Sequence, residues 1–429
     1  MTAVEKMEKL ANVKSGVTPE LEKLYHDTDN CVRCGRCTAV CPTYKATRKE
    51  MMSARGRVHL ARKYLEGSLG VSKTFKLYND LCLGCGACLE VCPPKIKTDE
   101  LVGLIKQDIF GKQGHSLDEM MMLKSCSYPQ SFRWIVKMID LNKQLGLVHL
   151  LPPELKAKAN MFPPAPDKTL RDLVKGVELT RGGGRPKVGY YPGCLTQSLY
   201  PDVGMAVVEV LINHGYDVVI PPETVCCGLP HKEGGEHSEH RRLAGKNIEF
   251  FASQGVDYIV TNCGTCTHAL KEYGHLFTHD PAMADKAGEF AAKTRDIMDF
   301  LTEVAGLKAG PRSLGGIKVT YHDSCHLSRR LGVVKQPRKL LAALPGLTFE
   351  EMPKANWCCG AAGSYSFKHP ATARQILEQK MANVAATGAQ VVTAGCPSCL
   401  MQLDYGKREF GVDCLVKHPV QLLADTFYN

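Results

Sequence analysis

No stretch of this chain is apolar for long enough to cross a membrane as a helix. The greasiest segment, Phe132 to Leu151, is interrupted by Arg133, Lys137, Asp140 and Lys143. A spanning helix needs about 20 almost unbroken apolar residues. Met1 to Gly16 is charged and has no apolar core of the secretory kind, so export is not expected. The formal net charge is +10, yet no run of five or more like charges and no recognition motif accompanies it, so nucleic acid is not the expected partner. No G-x-G-x-x-G follows a predicted strand, and there is neither a P-loop nor a Ser/His/Asp nucleophile pattern. Hydride chemistry needs a flavin, a nicotinamide or a similar cofactor, and nothing on this chain offers it a place.

Cysteine is abundant: 20 of 429 residues. In a chain not expected to be exported, so many thiols point to metal rather than to disulfides. The length suits two or three domains, and a hydrophobic content of 44% is ordinary for a globular protein.

Eight of the cysteines fall in two runs. The first is Cys31, Cys34, Cys37 and Cys41 followed by Pro42; the second is Cys82, Cys85, Cys88 and Cys92 followed by Pro93. Both fit C-x2-C-x2-C-x3-C-P, the spacing of bacterial two-cluster ferredoxins. Three cysteines at three-residue intervals wrap one [4Fe–4S] cubane, and the fourth turns away to the other cluster. Cys31, Cys34, Cys37 and Cys92 therefore form one expected ligand set, and Cys82, Cys85, Cys88 and Cys41 the other. Gly35, Gly84 and Gly86 would let backbone N–H groups approach the sulfurs. Arg33, Arg36, Lys45, Arg48, Arg55 and Arg57 are placed to offset cluster charge. The residues between the runs include Gly56 to Gly67, where Val58, Leu60, Ala61 and Leu65 give a helical face. A helical ferredoxin domain over residues 1–110 is expected, like the two-cluster modules of respiratory dehydrogenases.

Ten more cysteines form an internal duplication. Cys226-Cys227-Gly228 returns as Cys358-Cys359-Gly360, 132 residues later. Upstream, Cys194 matches Cys325 at a spacing of 131; downstream, Cys263 and Cys266 match Cys396 and Cys399 at 133. Each copy gathers five thiols, one more than a tetrahedral zinc site takes. Soft thiolates suit zinc, copper(I) or iron–sulfur clusters.

The first copy, 187–310, reads as strands at 187–191, 217–220 and 257–261, with helices at 202–214, 236–254 and a short one from 265. The second, 311–429, reads as strands at 317–321, 348–351 and 390–393, with helices at 336–343, 371–387 and 398–405. This alternation predicts parallel α/β sheets. Cys194, Cys263, Cys325 and Cys396 each follow a predicted strand, where α/β sites form. His231, His268, His322 and His326 lie near these cysteines and are read as supporting or surface residues. The connector, 111–186, holds an amphipathic helix around Phe132, Trp134, Ile135, Met138, Ile139 and Leu141. Packing between domains is the favoured reading for it over membrane or partner docking. Proline and glycine clusters at 152–166 and 182–184 punctuate the rest. Cys126 and Cys414 stand outside the motifs and read as small buried hydrophobes.

The duplicated pattern resembles the cysteine-rich (CCG) domain of the heterodisulfide reductases and their relatives. That resemblance implies a non-cubane [4Fe–4S] cluster on each complete set of five cysteines, hence one or two further clusters beside two cubanes. The chain as a whole resembles the iron–sulfur subunits of glycolate oxidase. Its near relatives are the iron–sulfur subunits of D-lactate dehydrogenase and of anaerobic glycerol-3-phosphate dehydrogenase. The resemblance rests on Cys31–Tyr44, Arg55-Gly56-Arg57, Lys271–Gly274, Ala284–Ala287, Trp357–Tyr365 and His369-Pro370. It implies an electron-transfer subunit, with FAD on a partner 2-hydroxyacid dehydrogenase subunit and a quinone or another redox acceptor. The expected location is cytoplasmic, with room for peripheral association at the inner membrane. Some glycolate-type subunits have a degenerate first copy, whereas this one is complete. The alternatives are disulfide reduction on this chain, the glycerol-phosphate role, and a zinc-stabilised scaffold. The ferredoxin runs argue against the last, since zinc does no redox work.

Overall fold

The computed structural model describes residues 18–223 and 225–427. The expected charged lead-in lies outside the described residues as far as residue 17. Contacts gather the chain into two compact units. One takes the chain up to Met120 together with Pro230–His237; the other takes Met121–Leu229 and everything from Ser238 onward.

The first unit is helical. Its helices include α1 (Pro19–Asp27), α2 (Arg36–Val40), α3 (Ala54–Leu65), α4 (Lys73–Asp80), α5 (Ala87–Val91) and α6 (Thr98–Gln113). Hydroxyl caps start three of them: Thr18 accepts from Leu21 N, Ser53 from Gly56 N and Ser72 from Phe75 N. The short helices α2 and α5 begin instead at left-handed residues, Gly35 (φ +79°) and Gly86 (φ +69°). The core holds Leu21, Tyr25, Val58, Leu65, Phe75 and Ile105. On α3 the expected face holds for Val58, Ala61 and Leu65, while Leu60 is only half-buried. Tyr64 fills that face, its ring 4.9 Å from Phe75 and its hydroxyl bound to Asp108.

The second unit contains the duplication. In the first copy run β1 (Lys187–Tyr190), α8 (Pro201–Asn213), β2 (Asp217–Val219), α9 (His237–Ser253), β3 (Tyr258–Thr261), α10 (Gly264–Leu276), α11 (Ala284–Lys293) and β4 (Thr294–Asp296). The helix of the connector, α7 (Pro129–Gln144), precedes them. The second copy has β5 (Ile317–His322), α12 (Lys335–Ala342), β6 (Leu347–Phe349), α13 (Pro370–Ala385), β7 (Val391–Ala394), α14 (Pro397–Phe410), β8 (Leu415–Lys417) and α15 (Pro419–Ala424). The sheets are four-stranded and wholly parallel, ordered β2-β1-β3-β4 and β6-β5-β7-β8. The α/β duplication expected from sequence is therefore present. The edge strands β4 and β8 were not anticipated; β4 follows α11 without a break and its Thr294, Arg295 and Asp296 are all polar. The helix expected to be short after Thr265 runs 13 residues as α10.

The connector helix α7 departs from the expected packing. Its Phe132, Val136 and Ile139 meet Phe162, Leu199 and Met401. Trp134, Ile135, Met138 and Leu141 face outward instead, Trp134 at 70% exposure. The helix is apolar on two sides and only one side is covered.

The two copies meet along a tight seam. Gly264 N donates to Gly395 O at 3.0 Å. A Cβ on Gly264 would lie 2.8 Å from Leu327 Cβ and 3.3 Å from Leu327 N. Gly264→Ala is accordingly expected to destabilise the protein by about 1–3 kcal/mol, the range for overpacking. Gly288→Ala, on α11 with nothing near its would-be Cβ, should be neutral or slightly stabilising. Anaerobic unfolding of the two variants checks this, and equal stability would show that the seam yields.

Candidate metal centres

In the helical unit the fourth cysteine of the first run leaves its own loop. Cys41 is buried, with Sγ 3.2 Å from Thr43 Oγ1 and 3.4 Å from Met52 O. It lines one cavity with Cys82, Cys85 and Cys88. Burial, then the charges of Cys85, Cys82 and Cys41, push the Cys88 thiol far above its ordinary range. In the other set, Cys31 and Cys92 pack against one apolar core, Cys31 acts electrostatically on Cys37, and Cys34 is exposed. Gly84, in the cavity wall, has φ +60°.

Of the six basic residues expected near these thiols, only Arg57 is buried. Its guanidinium donates to Tyr78 O, Met52 O and Thr43 Oγ1. All three acceptors are neutral, and Arg57 lines the cavity of the second set. Arg55 is engaged with Glu50 at 2.7 Å and Arg33 and Arg36 are exposed, so their charges are largely balanced or screened.

In the second unit the cysteines lie beyond the C-terminal ends of β1 and β3 and of β5 and β7. These are the central pairs of the two sheets, where the strand order reverses and α/β crevices open. The thiols form one line. Cys194 meets Cys226, Cys226 meets Cys227, Cys227 meets Cys266, and Cys266 meets Cys263. In the second copy Cys325 meets Cys358, Cys358 meets Cys359, Cys359 meets Cys399, and Cys399 meets Cys396. Cys263 Sγ and Cys396 Sγ lie 3.7 Å apart and join the halves. In both copies the glycine after the cysteine pair donates its N–H to the first sulfur at 3.4 Å, Gly228 to Cys226 and Gly360 to Cys358.

Hydrogen bonding along this line favours thiolates at intervals. The thiols of Cys226 and Cys266 draw Cys227 down to about 5. Cys325 and Cys359 hold Cys358 well below the ordinary thiol range, as Cys263 and Cys399 do for Cys396. Thiolates are the form that binds metal. Ten soft donors in two sets of five fit iron–sulfur clusters, and each set exceeds what tetrahedral zinc requires.

The histidines are less peripheral than expected. His231, His322 and His326 are buried. Within the first unit, His231 Nδ1 lies 2.6 Å from Glu236 Oε2. His268 and His326 stack at 5.1 Å. His322 groups with Cys359 and Cys399, with ligand-capable atoms within 4.8 Å of one another, and its Nδ1 has no hydrogen-bond partner. Cys414 is buried as expected, whereas Cys126 is half-buried and its thiol, raised to about 12 by burial, also feels Cys194. One charged residue was overlooked. Lys380 on α13 is fully buried beside the second set. A signal existed: on α13 the buried positions are Ala373, Ile376, Leu377, Lys380, Met381 and Val384, so the lysine stands inside an apolar stripe.

A small helical unit with two interleaved cysteine runs, followed by two α/β copies that align ten thiols, defines an iron–sulfur protein. The 4Fe-4S dicluster domain family matches residues 27–96, and the cysteine-rich domain (CCG) family matches 188–271 and 319–404. Over 99% of this chain and 98% of the relative, the sequence is 32% identical to the probable glycolate oxidase iron–sulfur subunit of Bacillus subtilis (strain 168). The chain belongs to that family of iron–sulfur subunits. Lactate utilization protein A of Exiguobacterium sp. (strain ATCC BAA-1283 / AT1b) is 34% identical over 56% of this chain and 98% of its own length. The protein of the same description from Bacillus subtilis (strain 168) is 38% identical over 51% of this chain and 90% of its own.

An exchange of the fourth ligand, as expected from the spacing, would have a direct consequence. Cys92→Ser should damage the cluster held with Cys31, Cys34 and Cys37, giving the paramagnetic resonance change of Cys34→Ser. A Cys92 variant that instead matches Cys85→Ser would refute this assignment.

Proposed function

We propose that this chain is the electron-transfer subunit of a flavin-dependent 2-hydroxyacid dehydrogenase, with glycolate or D-lactate as substrate. The full-length similarity to a glycolate oxidase iron–sulfur subunit carries the reading; the two interleaved cysteine runs and the unbroken line of ten thiols support it. Cys31, Cys34, Cys37 and Cys92 would hold one cubane, and Cys41, Cys82, Cys85 and Cys88 the other. Cys194, Cys226, Cys227, Cys263 and Cys266 would hold a further cluster, as would Cys325, Cys358, Cys359, Cys396 and Cys399. Such clusters accept and release single electrons. Removing a hydride equivalent from the carbon next to a carboxylate is a two-electron step, so a flavin on a partner subunit has to stand between substrate and clusters. The protein's own work is to shield the sulfurs, fix them and set their charge environment. A quinone or another redox acceptor completes the path.

The chain alone should therefore leave glycolate and D-lactate untouched. Mixing it with the flavoprotein should give substrate-dependent bleaching of its visible absorption. Flavin-free chain that oxidises either acid, or a native complex without a flavoprotein, would overturn the reading. Reduction of a disulfide by the isolated chain would favour the heterodisulfide-reductase type of activity.

We further infer that the uncovered face of α7 rests on an anionic bilayer surface. Eleven of the sixteen large hydrophobic side chains exposed among the described residues fall between 121 and 155, too concentrated for ordinary surface scatter. Trp134, Met138, Leu141 and Leu145 line one helical stripe. Residues 121–160 carry six Lys or Arg against two acidic residues, the charge balance of an interfacial helix. Vesicles of anionic phospholipid should sediment the protein and neutral vesicles should do so less. Replacing Trp134 and Leu141 with Glu should abolish binding while iron content stays unchanged. Absence of binding to anionic vesicles, with the face instead protected by the flavoprotein, would make it a protein-docking surface.

A further inference from the structure

The two five-thiol sets are alike in their sulfurs and unlike in what surrounds them. The six buried positions of α9 recur on α13 133 residues later, so that Asn247 and Ile248 correspond to Lys380 and Met381. Asn247 is buried like Lys380 and donates its amide to Cys226 O and to the Tyr273 hydroxyl, each at 3.2 Å. The first copy is thus an internal control: a neutral donor serves this position there, and only the second copy puts a charge on it. Lys380 is the only buried lysine or arginine of this unit among the described residues.

Its ammonium has three neutral partners, Lys354 O at 2.9 Å, Ala355 O at 3.0 Å and Met352 Sδ at 3.6 Å. No carboxylate pairs with it among the described residues. Asp323 is near enough to act on it, but that carboxylate is held on both oxygens by Arg338 at 2.9 and 3.0 Å. A buried cation without a counter-charge is strongly unfavourable. The remaining source of negative charge in reach is the sulfur set Cys359, Cys358 and Cys399, in which Cys358 is the one held as a thiolate. Burial draws the Lys380 ammonium down to about 8 and the neighbouring sulfurs oppose the fall; two carbonyl oxygens and a thioether sulfur match the three N–H donors of an ammonium.

A second difference lies beside the same sulfurs. Three residues before the first cysteine of each copy stand His322 and Tyr191. The Tyr191 hydroxyl donates to Val225 O at 2.6 Å. His322 Nδ1 is left without a partner in its grouping with Cys359 and Cys399. Arg57 repeats the arrangement in the helical unit, as a buried cation bound, among the described residues, to neutral acceptors beside Cys41 and its set.

We propose that Lys380 makes the two centres of the duplicated domain electrically inequivalent, holding the second at the higher reduction potential, so that an electron entering the pair is retained in the second copy. The proposal rests on the reading that both sets carry iron–sulfur clusters. Its chemistry is the gain of one electron with no atom transferred, and Lys380 acts through the sulfurs as a positioning charge. A positive charge fixed in a low-dielectric site stabilises the more negative, reduced state.

Potentiometric titration of the whole chain, followed by paramagnetic resonance, tests this without substrate or flavoprotein. Cys266→Ser and Cys399→Ser assign the signals of the first and second copies. In the unmodified protein the second-copy signal should be reduced first. Lys380→Gln keeps a donor for the loop carbonyls but removes the charge. It should disfavour reduction of the second centre by at least tenfold, about 59 mV for one electron, and leave the ferredoxin signals in place. A purely structural lysine would not move that potential. Reduction of the first copy before the second, or an unmoved second-copy midpoint in Lys380→Gln with iron retained, overturns the proposal. The first outcome is read on the unmodified chain, once the cysteine variants have assigned its signals, and stands even where Lys380→Gln fails to assemble. Absence of iron and sulfide from both five-thiol sets would overturn the cluster reading itself, a separable result.

Discussion

The contact between Cys263 Sγ and Cys396 Sγ, 3.7 Å apart, is the point on which the duplicated domain depends. Each sulfur ends a line of five and begins the next. To bring them together, the loops after β3 and β7 must approach until backbone meets backbone, as Gly264 N and Gly395 O do. A side chain at Gly264 would run into Leu327. The seam therefore admits only the smallest residue, and the thiol line is continuous because the seam is tight. Two separate α/β domains would have given two separate sites.

Burying ten thiols creates an electrostatic problem alongside the geometric one. Neighbouring thiolates repel, and protein interiors stabilise charge poorly. The structure answers locally, with thiol-to-thiol hydrogen bonds and backbone N–H groups such as those of Gly228 and Gly360. It also supplies buried cations whose partners among the described residues are neutral, Arg57 in the helical unit and Lys380 in the duplicated one. Surface arginines such as Arg33 and Arg36 do little here, because water screens an exposed charge. Depth decides which basic residues matter to the sulfurs.

The sulfurs lie at the switch points of parallel sheets for a reason independent of their chemistry. In a β2-β1-β3-β4 order the connections leave β1 and β3 in opposite directions, which opens a crevice above that pair. Cys194 and Cys263 follow those two strands, and Cys325 and Cys396 follow β5 and β7. The loop carrying each cysteine pair enters the same crevice.

Sequence alone determined the register of the cysteines, the alternation of strands and helices, and the helical character of the ferredoxin unit. These are local properties, carried by spacing and periodicity within single segments. It did not reveal the edge strands β4 and β8, the first of them polar throughout and continuous with the helix before it, nor the bare face of α7, since an apolar stripe does not say whether anything covers it. It also missed the role of Lys380, because a lysine in a helical stripe reads as a blemish until its depth is known. Only the tertiary structure joined Cys263 to Cys396 across 133 residues, set Cys41 beside Cys82, Cys85 and Cys88, and placed His322 among sulfurs. Each of these depends on how separate elements pack, and packing is decided by the shape and burial of surfaces distant in sequence.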